Sequence, residues 1–279
     1  MSIMKIETFV FFDIETTGLP QFEKNRTKII ELTFIAVTRE DIWASKPLSF
    51  MNKLSLLFNP ERKIQEKASK ITGLKNSSLN NQPVFKNRIH TINIFLKELK
   101  WPVCLVAHNG NRFDFKILRA EYCDVGQDLP DNLLCIDSIS YFRQISKDIN
   151  NLSSREDINP KTNIISAENV DNLLTDDEDD WPPLNTSAAE WEEIDKLTES
   201  FSKLSSDEDT PNKSDTKKEC YQLTELYKKF FKKEPIISHR AEADCVMLLE
   251  CVTRTKDLFL PWADKNCKFI SKITPLTRH

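Results

Sequence analysis

The stretch Thr8–Ile14, TFVFFDI, constrains the fold more than any other part of the chain. A continuous aromatic and aliphatic run of this length suits a strand covered on both faces, the setting of a sheet packed between helices. Asp13 and Glu15 end the run. Separated by one residue on a strand, their side chains leave the same face, ~6–7 Å apart along the chain. Two carboxylates so placed repel each other unless a cation lies between them, and a divalent hard metal is the usual resolution. The spacing alone is a weak signal. At Asp176 and Glu178 the same D-x-E pattern sits in an acidic run, where it means only solvation.

Around that strand the pattern alternates. Leu32–Thr38, Lys53–Phe58, Val103–Ala107 and Leu133–Ile136 read as further strands. Helical spacing covers Ile64–Ile71, Phe85–Leu99 and Phe113–Tyr122, and a helix follows the last strand to about Ile145. Three more helices are expected at Gln222–Phe231, Ala241–Val252 and Leu258–Lys265. Three β-rich segments followed by alternating helix and strand predict an α/β domain with a mixed sheet. A chain of 279 residues, 39% hydrophobic, has ample material for one large core or two small ones. The N-terminal apolar run is broken by acids, so it reads as a strand and not as a secretory signal. No window approaches the ~20 apolar residues of a membrane span. Seven cysteines, an odd number without repeated spacing, argue against a disulfide framework. A secreted, membrane-spanning or collagen-like protein is excluded.

The net charge of −4 averages two unlike regions. Asp148–Lys218 holds 19 acidic and 7 basic residues, including the run Asp176–Asp180, whereas the rest carries 24 acids against 32 bases. The patterned part is therefore basic, which suits either a phosphate-binding surface or an ordinary solvated one. The acidic part has few aliphatics and is expected to be largely disordered. The expected organisation is residues 1–147 as the first part of one domain, 148–218 as an acidic insertion, and 219–279 as its C-terminal helices. Trp181–Leu184 and the spacing Trp191, Ile194, Leu197, Phe201 form the insertion's one candidate docking element, with a plain linker as the alternative.

Two more motifs carry chemistry. His108-Asn109-Gly110-Asn111-Arg112-Phe113-Asp114 begins where a strand ends and turns into a helix. Asp114 would then lie where open α/β sheets bind ligands, although alone it reads equally as an acid favoured at a helix N-terminus. His239-Arg240-Ala241-Glu242-Ala243-Asp244 places a histidine just before a helix whose first turn carries an acid. Such a histidine can serve as a general base; in isolation it reads as a surface residue capping a helix. The ordered conjunction of D-x-E, Asp114 and H-x-x-x-x-D resembles the DEDDh 3′→5′ exonucleases. More narrowly, the chain resembles the animal three-prime repair exonucleases (the TREX family) across FFDIETTGLP (11–20), KIIELTFIAVTR (28–39), NKLSLLFNP (52–60) and ITGL (71–74). CLVAHNGNRFDFKILRAEY (104–122), SHRAEADCVMLLECV (238–252) and LFLPWADKN (258–266) continue the likeness.

That resemblance implies a ribonuclease H-like (DnaQ-like exonuclease) fold with a central mixed five-stranded sheet flanked by helices. It implies two Mg²⁺ ions, replaceable by Mn²⁺, held by Asp13, Glu15, Asp114 and Asp244, with His239 deprotonating the attacking water. Asp13 would bridge both ions, Glu15 and Asp244 would complete the inner one, and Asp114 would hold the outer one largely through water. Leu19 and Ile71 match residues that wedge against terminal bases, and His108 and Arg112 match residues near the scissile strand. The implied activity is removal of deoxynucleoside 5′-monophosphates from single-stranded or mismatched DNA 3′ ends. An exoribonuclease trimming RNA, or a DNA-end-binding protein without turnover, is the alternative. A homodimer joined through the edge strand near Leu54–Phe58 is implied as well. Only Pro47 precedes that strand and no apolar tail precedes His279, so proline-mediated docking and membrane anchoring are not expected. A cytoplasmic or nuclear location follows. The acidic insertion is expected to compete with DNA for the basic surface.

Overall fold

Alternation along the first strand sets the architecture. The computed structural model describes residues 5–45, 51–153, 221–235 and 239–278. In β1 (Thr8–Thr16), Val10, Phe12 and Ile14 point into one hydrophobic layer, and Phe9 and Phe11 into the other. The chain continues through a short 3₁₀ turn at Pro20–Glu23, β2 (Ile29–Thr38), α1 (Arg39–Ala44), β3 (Asn52–Leu57), α2 (Glu66–Thr72), α3 (Asn76–Leu79) and α4 (Ile89–Lys97). It then forms β4 (Val103–Ala107), α5 (Asp114–Cys123), β5 (Leu134–Asp137) and α6 (Ser138–Ser153). Beyond the acidic segment come α7 (Leu223–Phe231), α8 (Ala241–Arg254), α9 (Lys256–Asn266) and β6 (Lys268–Phe269).

The strands lie in the order β3-β2-β1-β4-β5-β6. The first three form an antiparallel meander, β4 and β5 run parallel to β1, and β6 is antiparallel. The five expected strands are therefore present and a sixth extends the sheet. At two residues, β6 is too short to leave a period in the sequence. Helices cover both faces. Ile89, Ile92 and Leu96 of α4 and Phe115, Leu118 and Tyr122 of α5 pack on the Phe12 side. Tyr141 and Phe142 of α6, Leu248 and Val252 of α8 and Phe259 of α9 pack on the Phe9 side. Phe12 meets Phe34 edge-on at 5.2 Å between centroids and stacks on Phe115 at 6.1 Å, so Phe12→Ala would cost about 3–5 kcal/mol.

Two boundaries differ from expectation. The helix expected over Phe85–Leu99 is split, with a 3₁₀ turn at Phe85–Asn87 preceding α4. That turn seats Phe85 against Phe58 (5.1 Å) and Tyr122 (5.9 Å), contacts a continuous helix would redirect. The single-turn α1 was not anticipated; Thr38 caps it by accepting the Asp41 N–H at 3.1 Å.

The β1–β4 pairing extends from Thr8↔Val103 to Phe11↔Val106 and goes no further. Beyond it, the last residues of β1 lie at the carboxyl ends of the parallel strands, between β2 and β4, where the strand order reverses direction. This is where open α/β sheets place their sites. At the far edge, β3 pairs only with β2, and Leu54 and Leu56 are half-buried. The acidic segment, with its Trp181 and Trp191 motifs, lies outside the described residues. Among the described residues, no helix is long and apolar enough to cross a membrane.

Candidate active site

Asp13 and Glu15 continue the β1 face begun by Phe9 and Phe11, the face on which α8 packs. Docking of α8 is fixed by Cys245, whose thiol donates to the carbonyls of Phe11 (3.5 Å) and Thr33 (3.6 Å). This brings the preceding residue, Asp244, onto the strand. Oxygen atoms of Asp13, Glu15 and Asp244 all lie within 4.8 Å of one another. The Asp244 carboxylate also accepts the backbone N–H groups of His239 and Arg240. Asp114, buried as the first residue of α5, comes close enough to the same strand end to raise the Asp13 pKa.

The electrostatics are those of a cluster lacking its counter-charge. Burial, then Asp114, Glu15 and Asp244, push the Asp13 carboxyl well above its usual range. Glu15 is pushed up to about 8, by burial first and by Asp244 and Glu31 next. Asp114 also rises to about 8, burial outweighing its backbone hydrogen bonds. Asp244 rises to about 6 through burial, with His239 and the backbone donors pulling the other way. Four crowded carboxylates fit a hard divalent cation: the donors are all oxygen, and cation binding relieves the repulsion that protonation would otherwise relieve.

A fifth carboxylate went unnoticed in the sequence. Glu31 faces Glu15 directly across β1 and β2 and is buried. Unlike the other four it is paired: Arg240 Nε and Nη2 donate to its two oxygens at 2.9 and 2.7 Å, and the Ala241 N–H adds a third bond at 3.2 Å. An acid inside the apolar run of β2 was the available signal. His239 precedes this pair, exposed at the rim, with a left-handed φ of 61°.

The loop from β4 into α5 is braced by another residue the motif search passed over. Asp137, the last residue of β5, is buried and accepts the N–H groups of Asn109, Asn111 and Ile139, each at 3.0 Å. Gly110 has no room for a side chain, since a Cβ would lie 2.6 Å from the Phe115 ring and 2.7 Å from Ala107 Cβ. His108 is a correction to the expected phosphate contact. Its Nε2–H donates to the Tyr221 carbonyl, leaving Nδ1 to accept from Ser138, both at 2.8 Å. Burial drives its pKa down to about 4. A neutral ring with both nitrogens engaged has nothing to offer a phosphate, and His108 instead joins the end of β4 to α6. Arg112 is half-buried in the same loop; after burial, its charge and that of Lys268 hold the Lys116 amine below its usual range.

Leu19 and Ile71 remain largely exposed, at 38% and 47%. Their segments are fastened together: the Gln65 N–H donates to the Thr17 carbonyl at 2.8 Å, and Glu23 receives the Thr17 hydroxyl at 2.6 Å and pairs with Arg62. Phe22, 52% exposed, stands one 3₁₀ turn after Leu19 and shares its side, an aromatic the sequence reading missed.

The model of the family described as Exonuclease matches residues 10–164. The chain is 25% identical over 283 residues to three prime repair exonuclease 2 of Mus musculus, covering 98% of this chain and 93% of that one. It is 26% identical over 287 residues to human three-prime repair exonuclease 1, covering 97% of this chain and 71% of the relative. The zinc-bound E. coli ExoI–ssDNA complex shares the fold, with a TM-score of 0.51 at 17% identity over 90% of this chain and 41% of that one. A family model that runs from β1 into the acidic segment and takes in more than half of the residues leaves one assignment: the chain belongs to the exonuclease family.

Proposed function

We propose that the chain removes deoxynucleoside 5′-monophosphates from single-stranded or mismatched DNA 3′ ends by metal-dependent hydrolysis. The observation that carries this reading is the convergence of Asp13, Glu15 and Asp244 within 4.8 Å, with Asp114 close enough to raise the Asp13 pKa. These four would hold two Mg²⁺ ions, with Mn²⁺ as a substitute. The ions supply charge neutralisation at the phosphate and at the entering and leaving oxygens. Asp13 lies among the other three acids and would serve the metal site together with each of them. An imidazole nitrogen of His239 takes the proton of the attacking water from the rim, where it exchanges freely with solvent. The P–O3′ bond of the penultimate nucleotide then breaks, and solvent protonates the leaving oxygen. Leu19, Ile71 and Phe22 offer the terminal bases a sequence-tolerant apolar surface, and Arg112 offers the strand a cation. The word repair in the names of the relatives favours DNA over RNA as substrate. The exposed edge of β3 is the proposed homodimer seam.

A gel assay with matched 5′-labelled DNA and RNA single strands, with Mg²⁺ or EDTA, tests this together with Asp244→Asn. DNA shortened from its 3′ end only with Mg²⁺, and not by the variant, is the expected result. Faster shortening of RNA would transfer the activity to RNA, and bound but uncut DNA would make the chain an end-binding protein.

A further inference from the structure

We propose that Glu31 and Arg240 are positioning residues, a clamp that fixes His239 over the carboxylate site. The inference rests on the functional reading above and adds to it. The Glu31 carboxylate grips the two residues that follow His239, receiving two donors from the Arg240 guanidinium and one from the Ala241 backbone. His239 is thus anchored through the residues directly after it while keeping φ at 61°, a conformation that non-glycine residues hold only where their surroundings impose it. Glu31 is paired in register with Glu15 and is 4% exposed at its side chain. The rim residue is thereby referenced to the strand that carries the metal-binding acids. The clamp has a second consequence. Glu31 sits in register beside Glu15, and the forked pair with Arg240 gives this fifth carboxylate its own counter-charge. Lysine cannot reproduce a two-pronged grip.

The test is a double-mutant cycle on the full chain, with a 5′-labelled DNA single strand and Mg²⁺ at saturation, using Arg240→Ala, Arg240→Lys, Glu31→Gln, His239→Ala and the Arg240→Ala/His239→Ala pair. Thermal unfolding of each variant identifies the folded fraction. Arg240→Ala is expected to lower kcat ~10–100-fold with KM changed less than about twofold, and Arg240→Lys to fall between it and wild type. His239→Ala should cost at least ~10²-fold in wild type but less than about threefold once Arg240 is alanine, because an unfixed base has already lost its function. Independent, multiplicative losses would overturn the clamp. So would a rise in KM alone, which would make Arg240 a phosphate contact. A wild-type chain that cuts nothing would instead overturn the functional reading, so the two failures are distinguishable. Arg240→Lys, which keeps the charge beside Glu31, decides the question should Arg240→Ala fail to fold.

Discussion

The buried acids at the end of β1 and the buried acid of α5 are treated in opposite ways. On α5, Glu121 is buried and fully provided for. Lys28 approaches one of its oxygens at 3.1 Å, Arg278 the other at 3.2 Å, and the Ile29 N–H donates at 3.2 Å. Asp124 completes the square by pairing with the same two cations. Two acids meet two bases, and nothing further is required. At the end of β1, no salt bridge to Asp13, Glu15, Asp114 or Asp244 is formed among the described residues, and Arg240 is taken by Glu31. The difference separates carboxylates that hold a structure from carboxylates that await an ion. A buried charge kept for stability brings its partner in the same chain.

The largest effect that could break this contrast is Asp13→Asn. Activity should fall at least ~10²–10³-fold, as when a transition-state-stabilising group is lost. Without metal, the same variant should melt higher by several degrees, since a site built for catalysis is strained when empty. Lower activity with a lower melting temperature would mean that the cluster is not strained after all. Glu121→Gln should do the reverse. It would remove about 1–3 kcal/mol of stability, reduced from the fully buried case because Lys28 and Asp124 are part-exposed, with kcat per folded molecule unchanged. Denaturant unfolding and single-strand cleavage on the same preparation check both halves.

Titration sharpens the contrast next. Glu15 is raised from 4.5 to about 8, Asp114 from 3.8 to about 8 and Asp244 from 3.8 to about 6. Between those limits the folded chain holds protons that the unfolded chain has released, so stability is lost as pH rises. In EDTA the melting temperature should therefore decline from pH 5 to about pH 8, and Mg²⁺ should raise it more at pH 8 than at pH 5. A metal-free melting temperature that climbs over this range would contradict the assignment. The smallest effect expected is at the rim: Phe22→Ala should weaken DNA single-strand binding by ~1 kcal/mol, consistent with one partly formed base contact. A loss equal to that of Arg112→Ala would give the aromatic a larger share than its exposed position suggests.

Much of the fold was legible because its strands are long and apolar: β1, β2 and β4 declare themselves by composition, and the four acids by position relative to them. The parts that escaped reading are those whose signal is tertiary. Glu31 is one acid in an apolar run, and its meaning depends on an arginine 209 residues away. Asp137 holds three amides that belong to a loop 26 to 28 residues upstream and to its own helix start. His108 was misread for the complementary reason. Sequence can place a histidine beside a site, but only packing reveals that both its nitrogens are already engaged. Likewise β6 has two residues, and only the neighbouring β5 makes them a strand.

The alternation of β1 also limits how this protein can change in length. Because Phe9, Phe11, Asp13 and Glu15 share one face and Val10, Phe12 and Ile14 the other, deleting or inserting a single residue before Asp13 would turn both acids into the α4–α5 layer and Ile14 toward α8. Within these seven residues, composition can drift but the count cannot.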